Sequence, residues 1–326
     1  MSQRPRVFAT RALAGDALRE LGRSLELEVW PEPGAPPPAA LRDRTARADG
    51  LLCLLTDRVD AELLAGCPRL RAISSVSVGV DHIDLAAASA RRIPVGHTPG
   101  VLTETTADLA FALLLAAARR VAEADRWVRA GGWRPERVWE PDLLLGRDVH
   151  GATLGILGMG AIGQAVARRG RGFGMRVLAW SRTRRALPEL ELEWAPLDGL
   201  LERSHFVSIH VPLTEQTRGL VDARALARMR PGAVLVNTAR GGIVDEAALA
   251  LALREGRLAA AGLDVFAREP IEAESPLLRL PNVVLTPHIG SASQATRERM
   301  AQLAVSNLLA ALRGERMPHC ANPEVY

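Results

Sequence analysis

Three polar side chains in the second half of the chain, Arg240, Glu269 and His288, could act together in one reaction. Each follows a short apolar run typical of a buried β-strand, and these runs cover 234–237, 260–264 and 283–286. A guanidinium can bind a carboxylate and a carbonyl oxygen together. An imidazole can donate a proton to that oxygen, while a neighbouring carboxylate raises the pKa of the imidazole and fixes its tautomer. The set suits reduction of a 2-keto acid by hydride.

A glycine motif, Gly158-Met159-Gly160-Ala161-Ile162-Gly163, lies between a strand-like run at 153–157 and a helical run at 161–169. Gly158 permits a tight turn, Gly160 lets a pyrophosphate approach the backbone, and Gly163 allows close packing of helix against strand. The phosphates would then meet free N–H groups at a helix N-terminus. The motif predicts a dinucleotide cofactor.

The residues after the next strand-like run favour NADPH over NADH. Ser181, Arg182 and Thr183 stand where an NAD site places a carboxylate for the ribose 2′-hydroxyl. No acidic residue occurs between Gln164 and Pro188. A carboxylate would repel a 2′-phosphate, whereas a Ser–Arg–Thr cluster would bind it with charge-assisted hydrogen bonds. We therefore predict NADPH as the preferred cofactor and weaker use of NADH.

The composition excludes several other kinds of site. All 41 basic residues are Arg, which rules out a P-loop, a pyridoxal-phosphate site and a Tyr-x-x-x-Lys site. Cys53, Cys67 and Cys320 are isolated, which is typical of a reducing cytoplasm, and no metal site is expected. The net charge of +4 comes from scattered arginines, so no nucleic-acid partner is expected. The longest uncharged stretch, 149–167, contains five glycines and is a poor membrane span, so we expect a cytoplasmic protein.

The elements that must position these residues form two α/β units. Short β-branched or Leu-rich runs alternate with Ala/Leu/Arg helical patterns, which predicts parallel sheets. A long helix is predicted over about 103–130, and a loop with Trp133 and Trp139 follows it. A final helix is predicted over about 293–312. Because ligands of open α/β sheets bind at the carboxyl ends of strands, the loops that carry Arg240, Glu269 and His288 should converge.

We therefore predict an α/β fold of two doubly wound parallel-sheet domains. A Rossmann nucleotide domain, residues 99–290, is inserted into a discontinuous flavodoxin-like substrate domain, residues 1–98 and 291–326.

The chain resembles the D-2-hydroxyacid dehydrogenase family over essentially its whole length. The segments that carry this resemblance are His210-Val-Pro-Leu-Thr214, Asn237-Thr-Ala-Arg-Gly-Gly242 and Ala261-Gly-Leu-Asp-Val-Phe266. Segments 51–57, 77–82 and 312–318 are similar to glyoxylate/hydroxypyruvate reductases within that family.

The resemblance implies roles for individual residues. Arg240, Glu269 and His288 match the catalytic positions. Residues implied near the substrate are Leu55, Val78, Gly79, Arg240, His288 and Ser291. Residues implied at the cofactor are Thr106, Gly158, Met159, Gly160, Ala161, Ile162, Gly163, Ser181, Arg182, Thr183, His210, Val211, Pro212, Thr217, Thr238, Ala239, Asp264 and Gly290. The resemblance also implies a homodimer, with the long helix and the Trp-bearing loop as the contact, although the loop at 134–145 matches its relatives less well.

The first hypothesis is an NADPH-dependent reductase that converts glyoxylate to glycolate and hydroxypyruvate to D-glycerate, with His288 as proton donor. A second is a reductase of broader or bulkier 2-keto acids, or a phosphoglycerate-type dehydrogenase; the short segment after the final helix argues against the latter. A third is a cofactor-sensing scaffold with little turnover, which the complete Arg240, Glu269 and His288 set disfavours.

Overall fold

The computed structural model describes residues 4–326. The chain divides into two compact units, one formed by the residues up to Leu102 together with Ser291–Tyr326, and the other by Thr103–Gly290. The first division falls where a helix begins at Thr103, whereas the sequence analysis placed it after residue 98. Within residues 4–326, no helix combines the length and apolar character that crossing a bilayer requires.

The first unit contains a five-stranded sheet whose strands are all parallel, in the order β2-β1-β3-β4-β5. This is the flavodoxin-like order that the sequence analysis predicted. Its elements before the second unit are β1 (Arg6–Ala9), α1 (Ala17–Ser24), β2 (Glu26–Val29), α2 (Pro38–Ala46), β3 (Gly50–Cys53), α3 (Ala61–Ala65), β4 (Ala72–Ser75), α4 (Leu85–Ala90) and β5 (Val95–Gly96).

The second unit contains a seven-stranded parallel sheet in the order β12-β11-β10-β9-β6-β7-β8. Its elements are α5 (Thr103–Ala118), α6 (Val121–Arg129), β6 (Thr153–Leu157), α7 (Ala161–Gly172), β7 (Arg176–Trp180), β8 (Glu193–Trp194), α8 (Leu197–Arg203), β9 (Phe206–Ile209), α9 (Ala223–Arg228), β10 (Ala233–Asn237), α10 (Glu246–Arg254), β11 (Leu258–Leu263) and β12 (Val283–Leu285). The chain then returns to the first unit through α11 (Gln294–Leu312). Because the order reverses at β6, the sheet has the doubly wound arrangement of a Rossmann domain.

Both faces of the second sheet are covered, which is why its strands are apolar without alternation. Leu154 and Ile156 of β6 pack among residues of α5 and α7, while Leu157 packs on the opposite face among residues of α8, α9 and α10. Side chains of a strand alternate between faces, so one apolar run supplies both cores.

The long helix predicted over 103–130 is two helices, because the chain turns at Arg120, whose φ is +55°. The amide of Arg147 donates to the carbonyl of Ala118 over 2.8 Å, so this carbonyl bonds outside the helix. Trp133 and Trp139 of the following loop are 60% and 79% exposed.

Candidate active site

His288 and Glu269 form a hydrogen-bonded pair. The Nδ1 atom of His288 lies 2.7 Å from Oε2 of Glu269, and the amide of Phe266 donates to Oε1 of Glu269 over 3.0 Å. Burial raises the pKa of Glu269, but the hydrogen bond and positive charge of His288 outweigh it and leave the pKa below its usual value. The carboxylate can therefore remain ionised and hold an imidazolium beside it.

Asp264, which follows β11, holds the loop that carries His288. Its carboxylate accepts hydrogen bonds from the Thr286 hydroxyl at 2.6 Å and from the amides of Ile289 and Gly290 at 2.8 Å each. The Asp264 carbonyl accepts from the His288 amide at 2.9 Å. These bonds stabilise His288 at a φ of +54°, a left-handed conformation that costs energy for a residue other than Gly. Burial raises the pKa of Asp264 despite them.

Arg240 follows β10, the strand next to β11. The Asn237 side chain donates to the Arg240 carbonyl over 2.9 Å, and Nη1 of Arg240 donates to the Ala239 carbonyl over 2.8 Å. The positive charge of Arg240 also contributes to the low pKa of Glu269. The sheet therefore brings Arg240, Glu269 and His288 to the same edge, after three adjacent strands.

The glycine motif leaves the start of α7 open for a ligand. Gly158 has a φ of +104°, and a Cβ at Gly163 would lie 2.0 Å from the Gly158 carbonyl oxygen, so both positions require Gly. Gly160 is the N-cap residue of α7 and has no side chain to accept from the first amides of the helix. A Cβ at this position would have no atom within 4 Å, so the space beside the helix start is open. The first N–H groups of α7 fit a pyrophosphate. Of the remaining motif residues, Met159 is buried, Ile162 is half-buried and Ala161 is exposed.

The strand β7 ends at Trp180, directly before the predicted 2′-phosphate cluster. Ser181 is half-buried, and Arg182 and Thr183 are exposed. Among residues 4–326, no carboxylate forms an ion pair with Arg182, or with Arg184 and Arg185 beyond it. These guanidinium groups can therefore bind a phosphate without breaking an existing pair.

His210 and Val211 lie against the glycine motif. A Cβ at Gly158 would be 2.7 Å from the His210 carbonyl and the Val211 amide, and the His210 amide donates to the Leu157 carbonyl over 2.7 Å. The Nε2 atom of His210 lies 2.8 Å from the Ser208 hydroxyl. Loss of hydration lowers the pKa of His210 to about 3, so its ring is neutral at physiological pH.

Thr217 closes the loop that carries Pro212. Its hydroxyl donates to the Pro212 carbonyl over 2.6 Å and accepts from the Thr214 amide at 2.8 Å. The structure therefore shows Thr217 bracing its own loop, and a contact with cofactor stays a prediction.

Thr238 carries a buried hydroxyl that has no hydrogen-bond partner among the described residues. The neighbouring Ala239 amide donates to the Asn237 side chain over 3.0 Å. A buried polar atom without a partner is costly, so this position fits a polar group of a bound cofactor. Thr106 is buried beside Gly290, where a Cβ would lie 3.4 Å from its methyl group.

The candidate substrate residues of the first unit follow two adjacent strands, Leu55 after β3 and Val78 with Gly79 after β4. The Val78 carbonyl lies 3.0 Å from Nδ1 of His97, and the Gly79 carbonyl accepts from the Ser77 hydroxyl at 2.7 Å. Both carbonyls are thus bound within the unit.

Ser291 begins the second segment of the first unit, and its carbonyl accepts from the Ser293 amide at 2.9 Å.

Two carboxylates that brace candidate site loops were missed in the sequence analysis. Asp57, almost fully buried, accepts from the Thr10 hydroxyl at 2.5 Å and from the Leu54 amide at 2.8 Å. Glu246 accepts from the Ala267 amide at 2.5 Å. Asp57 comes soon after a buried strand, which is a usable signal, whereas nothing in the sequence marks Glu246 beyond its place at the start of a helix.

Comparison with known proteins agrees with this geometry. Residues 111–290 match the family model described as D-isomer specific 2-hydroxyacid dehydrogenase, NAD binding domain. The glyoxylate reductase of Korarchaeum cryptofilum is 52% identical, with 99% of this chain and 97% of that protein covered. The glyoxylate reductase of Thermococcus litoralis is 47% identical, with 99% and 98% covered.

Solved structures give the same result. The TT0316 protein of Thermus thermophilus superposes with a TM-score of 0.91 at 51% identity, covering 97% of this chain and 99% of that one. An NADPH-dependent glyoxylate/hydroxypyruvate reductase of Sinorhizobium meliloti, in complex with NADP and malonate, superposes at 0.86 and 35% identity, covering 98% of each chain. The chain therefore belongs to the D-isomer-specific 2-hydroxyacid dehydrogenase family.

Proposed function

We propose that this protein reduces small 2-keto acids, glyoxylate to glycolate and hydroxypyruvate to D-glycerate, with NADPH as the preferred cofactor. The observation that carries the proposal is the 2.7 Å contact between His288 and Glu269 at the sheet edge that also carries Arg240. The relative from Korarchaeum cryptofilum that is named glyoxylate reductase, 52% identical over 99% of this chain, supports this substrate class.

His288 is the proposed proton donor. Its Nδ1 is turned to Glu269, so Nδ1 carries a hydrogen and Nε2 is the atom that faces outward from the pair. In the protonated ring, Nε2–H donates to the carbonyl oxygen of the substrate as negative charge develops there. Glu269 stabilises the imidazolium before the transfer and keeps its orientation. A reduced nicotinamide, when bound, supplies the hydride that the carbonyl carbon receives.

Arg240 is the proposed carboxylate-binding group. A guanidinium offers two parallel N–H donors, so it can bind a carboxylate oxygen and the adjacent carbonyl oxygen of a 2-keto acid at once. This contact polarises the carbonyl and fixes the orientation of its oxygen toward the proton donor, His288. Leu55, Val78, Gly79 and Ser291 of the first unit remain the predicted further substrate contacts.

The cofactor is proposed to lie along the carboxyl edge of the second sheet. The open start of α7 at Gly160 would hold the pyrophosphate, and the unpaired Arg182 with Ser181 and Thr183 would hold a 2′-phosphate. The buried Thr238 hydroxyl would donate to or accept from a polar group of the bound cofactor. These residues favour NADPH and leave NADH as the weaker alternative.

We also propose a homodimer. Trp139 and Trp133 are large, apolar and mostly exposed on one loop, and Val138 between them is 59% exposed. A second copy of the chain would remove this surface from water. Sedimentation equilibrium should give twice the chain mass, and a monomer at micromolar concentration would refute this part.

Initial rates with glyoxylate and hydroxypyruvate, each measured with NADPH and with NADH, test the activity. We expect turnover of both acids and a higher kcat/KM with NADPH. Pyruvate and phenylpyruvate are assayed as alternative substrates. Faster turnover of these than of glyoxylate and hydroxypyruvate would favour a reductase of bulkier keto acids. Cofactor binding without turnover of any of the four acids would favour the scaffold hypothesis.

A further inference from the structure

Two consecutive backbone amides, those of Phe266 and Ala267, donate to two different carboxylates. The Phe266 amide donates to Oε1 of Glu269 over 3.0 Å, and the next amide, that of Ala267, donates to Oε1 of Glu246 over 2.5 Å. The other oxygen of Glu269 is the one that contacts His288, at 2.7 Å. Glu246 is therefore one residue of backbone away from the Glu269–His288 pair.

Glu246 is held in place by a well-anchored helix. It is the first residue of α10, and the Asp245 side chain caps that helix by accepting from the Ala248 amide at 3.0 Å. Leu249 and Leu253, three and seven residues further along the helix, are buried in the core and anchor it. A carboxylate on such a helix is a fixed point for a loop.

Gly241, which follows Arg240, packs directly on the peptide unit that joins Phe266 to Ala267 and carries the amide bound by Glu246. A Cβ at position 241 would lie 1.8 Å from the Phe266 carbonyl carbon and 2.3 Å from the Ala267 nitrogen. The loop that carries Arg240 and the loop that carries Glu269 are therefore in contact with one another. Glu246 of α10 binds the Ala267 amide at this contact.

We propose that Glu246 is a positioning residue, whose carboxylate holds the loop at 265–269 so that Glu269 meets His288. The inference rests on the proposed proton-donor role of His288. It assigns Glu246 no contact with substrate or cofactor.

The charges around Glu246 argue that its hydrogen bond, rather than its charge, is what the site uses. Burial raises the pKa of Glu246, and the negative charges of Glu269 and Glu272 raise it further. Arg268 pairs with Glu272 at 2.6 Å, and the positive charges of His288 and Arg240 act on Glu269. A third carboxylate here is electrostatically unfavourable, and the bond to Ala267 is the compensation that the structure shows.

Two neutral variants separate the hydrogen bond from the charge. Glu246→Gln and Glu246→Met both remove the charge and have similar length, but only Gln can still accept from the Ala267 amide. Glu272→Gln is the matched control, because it removes a nearby carboxylate that contacts Arg268 and no loop amide. All three variants are compared with the unsubstituted protein by thermal unfolding and by NADPH fluorescence titration.

We expect Glu246→Met to lower kcat for glyoxylate on the order of tenfold, because a loop displaced by a fraction of an ångström misaligns Glu269. The acid limb of its kcat/KM profile should move to higher pH, because Glu269 loses the His288 contact that lowers its pKa. Glu246→Gln should keep most of kcat without this upward displacement. Glu272→Gln should match the unsubstituted protein, and NADPH affinity should be unchanged throughout.

Equal kcat and equal pH profiles for the Gln and Met variants would overturn the proposal, whether both are fast or both are slow. If Glu246→Met does not accumulate as folded protein, Glu246→Asp replaces it; this variant keeps the charge but draws the carboxylate back by one methylene, and the same losses are expected. Carbon-13 NMR of the Glu269 carboxyl reads its pKa without substrate. An absence of turnover in the unsubstituted protein would therefore refute the proposed function, while this titration would still test Glu246.

Discussion

The Nδ1 atom of His288 and the Oε2 atom of Glu269 lie 2.7 Å apart, although the two residues are 19 positions apart in the chain. Each residue follows its own strand, and the two strands β11 and β12 are hydrogen-bonded neighbours. The pair is therefore held by the sheet and by the loop contacts of Asp264 and Glu246, so small changes in those contacts should be felt at the imidazole.

Replacing His288 by Ala should lower kcat for glyoxylate by ~10²–10⁴-fold, the usual contribution of a general acid. NADPH affinity, measured by fluorescence titration, should persist, because the proposed cofactor contacts are elsewhere. His150→Ala, on an exposed loop, is the control for loss of an imidazole. An unchanged rate in His288→Ala would show that another group supplies the proton.

The pH dependence of stability should reveal the low pKa of Glu269. Because the pKa is lower in the folded protein than in the unfolded chain, the unfolded chain takes up the proton first as the pH falls. Ionised Glu269 makes its full contribution to the free energy of unfolding above the pKa of the unfolded chain, about 4.3. This contribution is lost as the pH falls through the pKa of the folded protein. Urea unfolding between pH 6 and 3 should show a shallower loss for Glu269→Gln than for the unsubstituted protein, and parallel curves would contradict the assigned pKa direction.

His210 should also make the free energy of unfolding fall as the pH falls, but over a higher pH range than Glu269. Its pKa of about 3 in the folded protein lies below the unfolded value of about 6.5, so acidification below pH ~6.5 favours the unfolded chain. Glu269 does not titrate in the upper part of this range. The variant His210→Gln should therefore lose less stability between pH 7 and 5 than the unsubstituted protein, measured by chemical denaturation. An equal slope in both proteins would mean that the ring is not desolvated in solution.

The variant Ser181→Asp should reverse the cofactor preference. A carboxylate at this position repels a 2′-phosphate and can accept from a ribose 2′-hydroxyl, so kcat/KM with NADPH should fall on the order of 10- to 100-fold while that with NADH rises or holds. Arg171→Gln, which removes a guanidinium paired with Glu191 at 2.6 Å, controls for a general change in charge. Faster turnover of NADH than NADPH by the unsubstituted protein would refute our interpretation of Ser181–Arg182–Thr183.

Two glycines of α7 offer a matched test of the dinucleotide motif. Gly163→Ala would place a methyl 2.0 Å from the Gly158 carbonyl oxygen, so it should destabilise the protein by about 1–3 kcal/mol and weaken NADPH binding. Gly172→Ala, on the same helix with no atom within 4 Å, should stabilise it by up to ~1 kcal/mol. Thermal unfolding of both variants gives the comparison. Equal effects would mean that the helix start is not packed as described.

The sequence by itself determined the fold class and the residues that could do chemistry. Short apolar runs alternating with helical patterns predicted parallel sheets, and the spacing of Gly158, Gly160 and Gly163 predicted the strand–turn–helix that the structure contains. Local patterns of this kind are enough because they depend on the backbone geometry of a few consecutive residues.

Other features depended on residues distant in the chain. The break at Arg120 could not be read locally, since it accompanies a bond from the Arg147 amide to the Ala118 carbonyl. The left-handed backbone of His288 depends on Asp264, and the place of Glu269 depends on contacts made by Glu246 and Gly241. Hydrogen bonds and steric contacts between loops of different strands exist only once the sheet order is set, so the tertiary structure alone decided how the site is held.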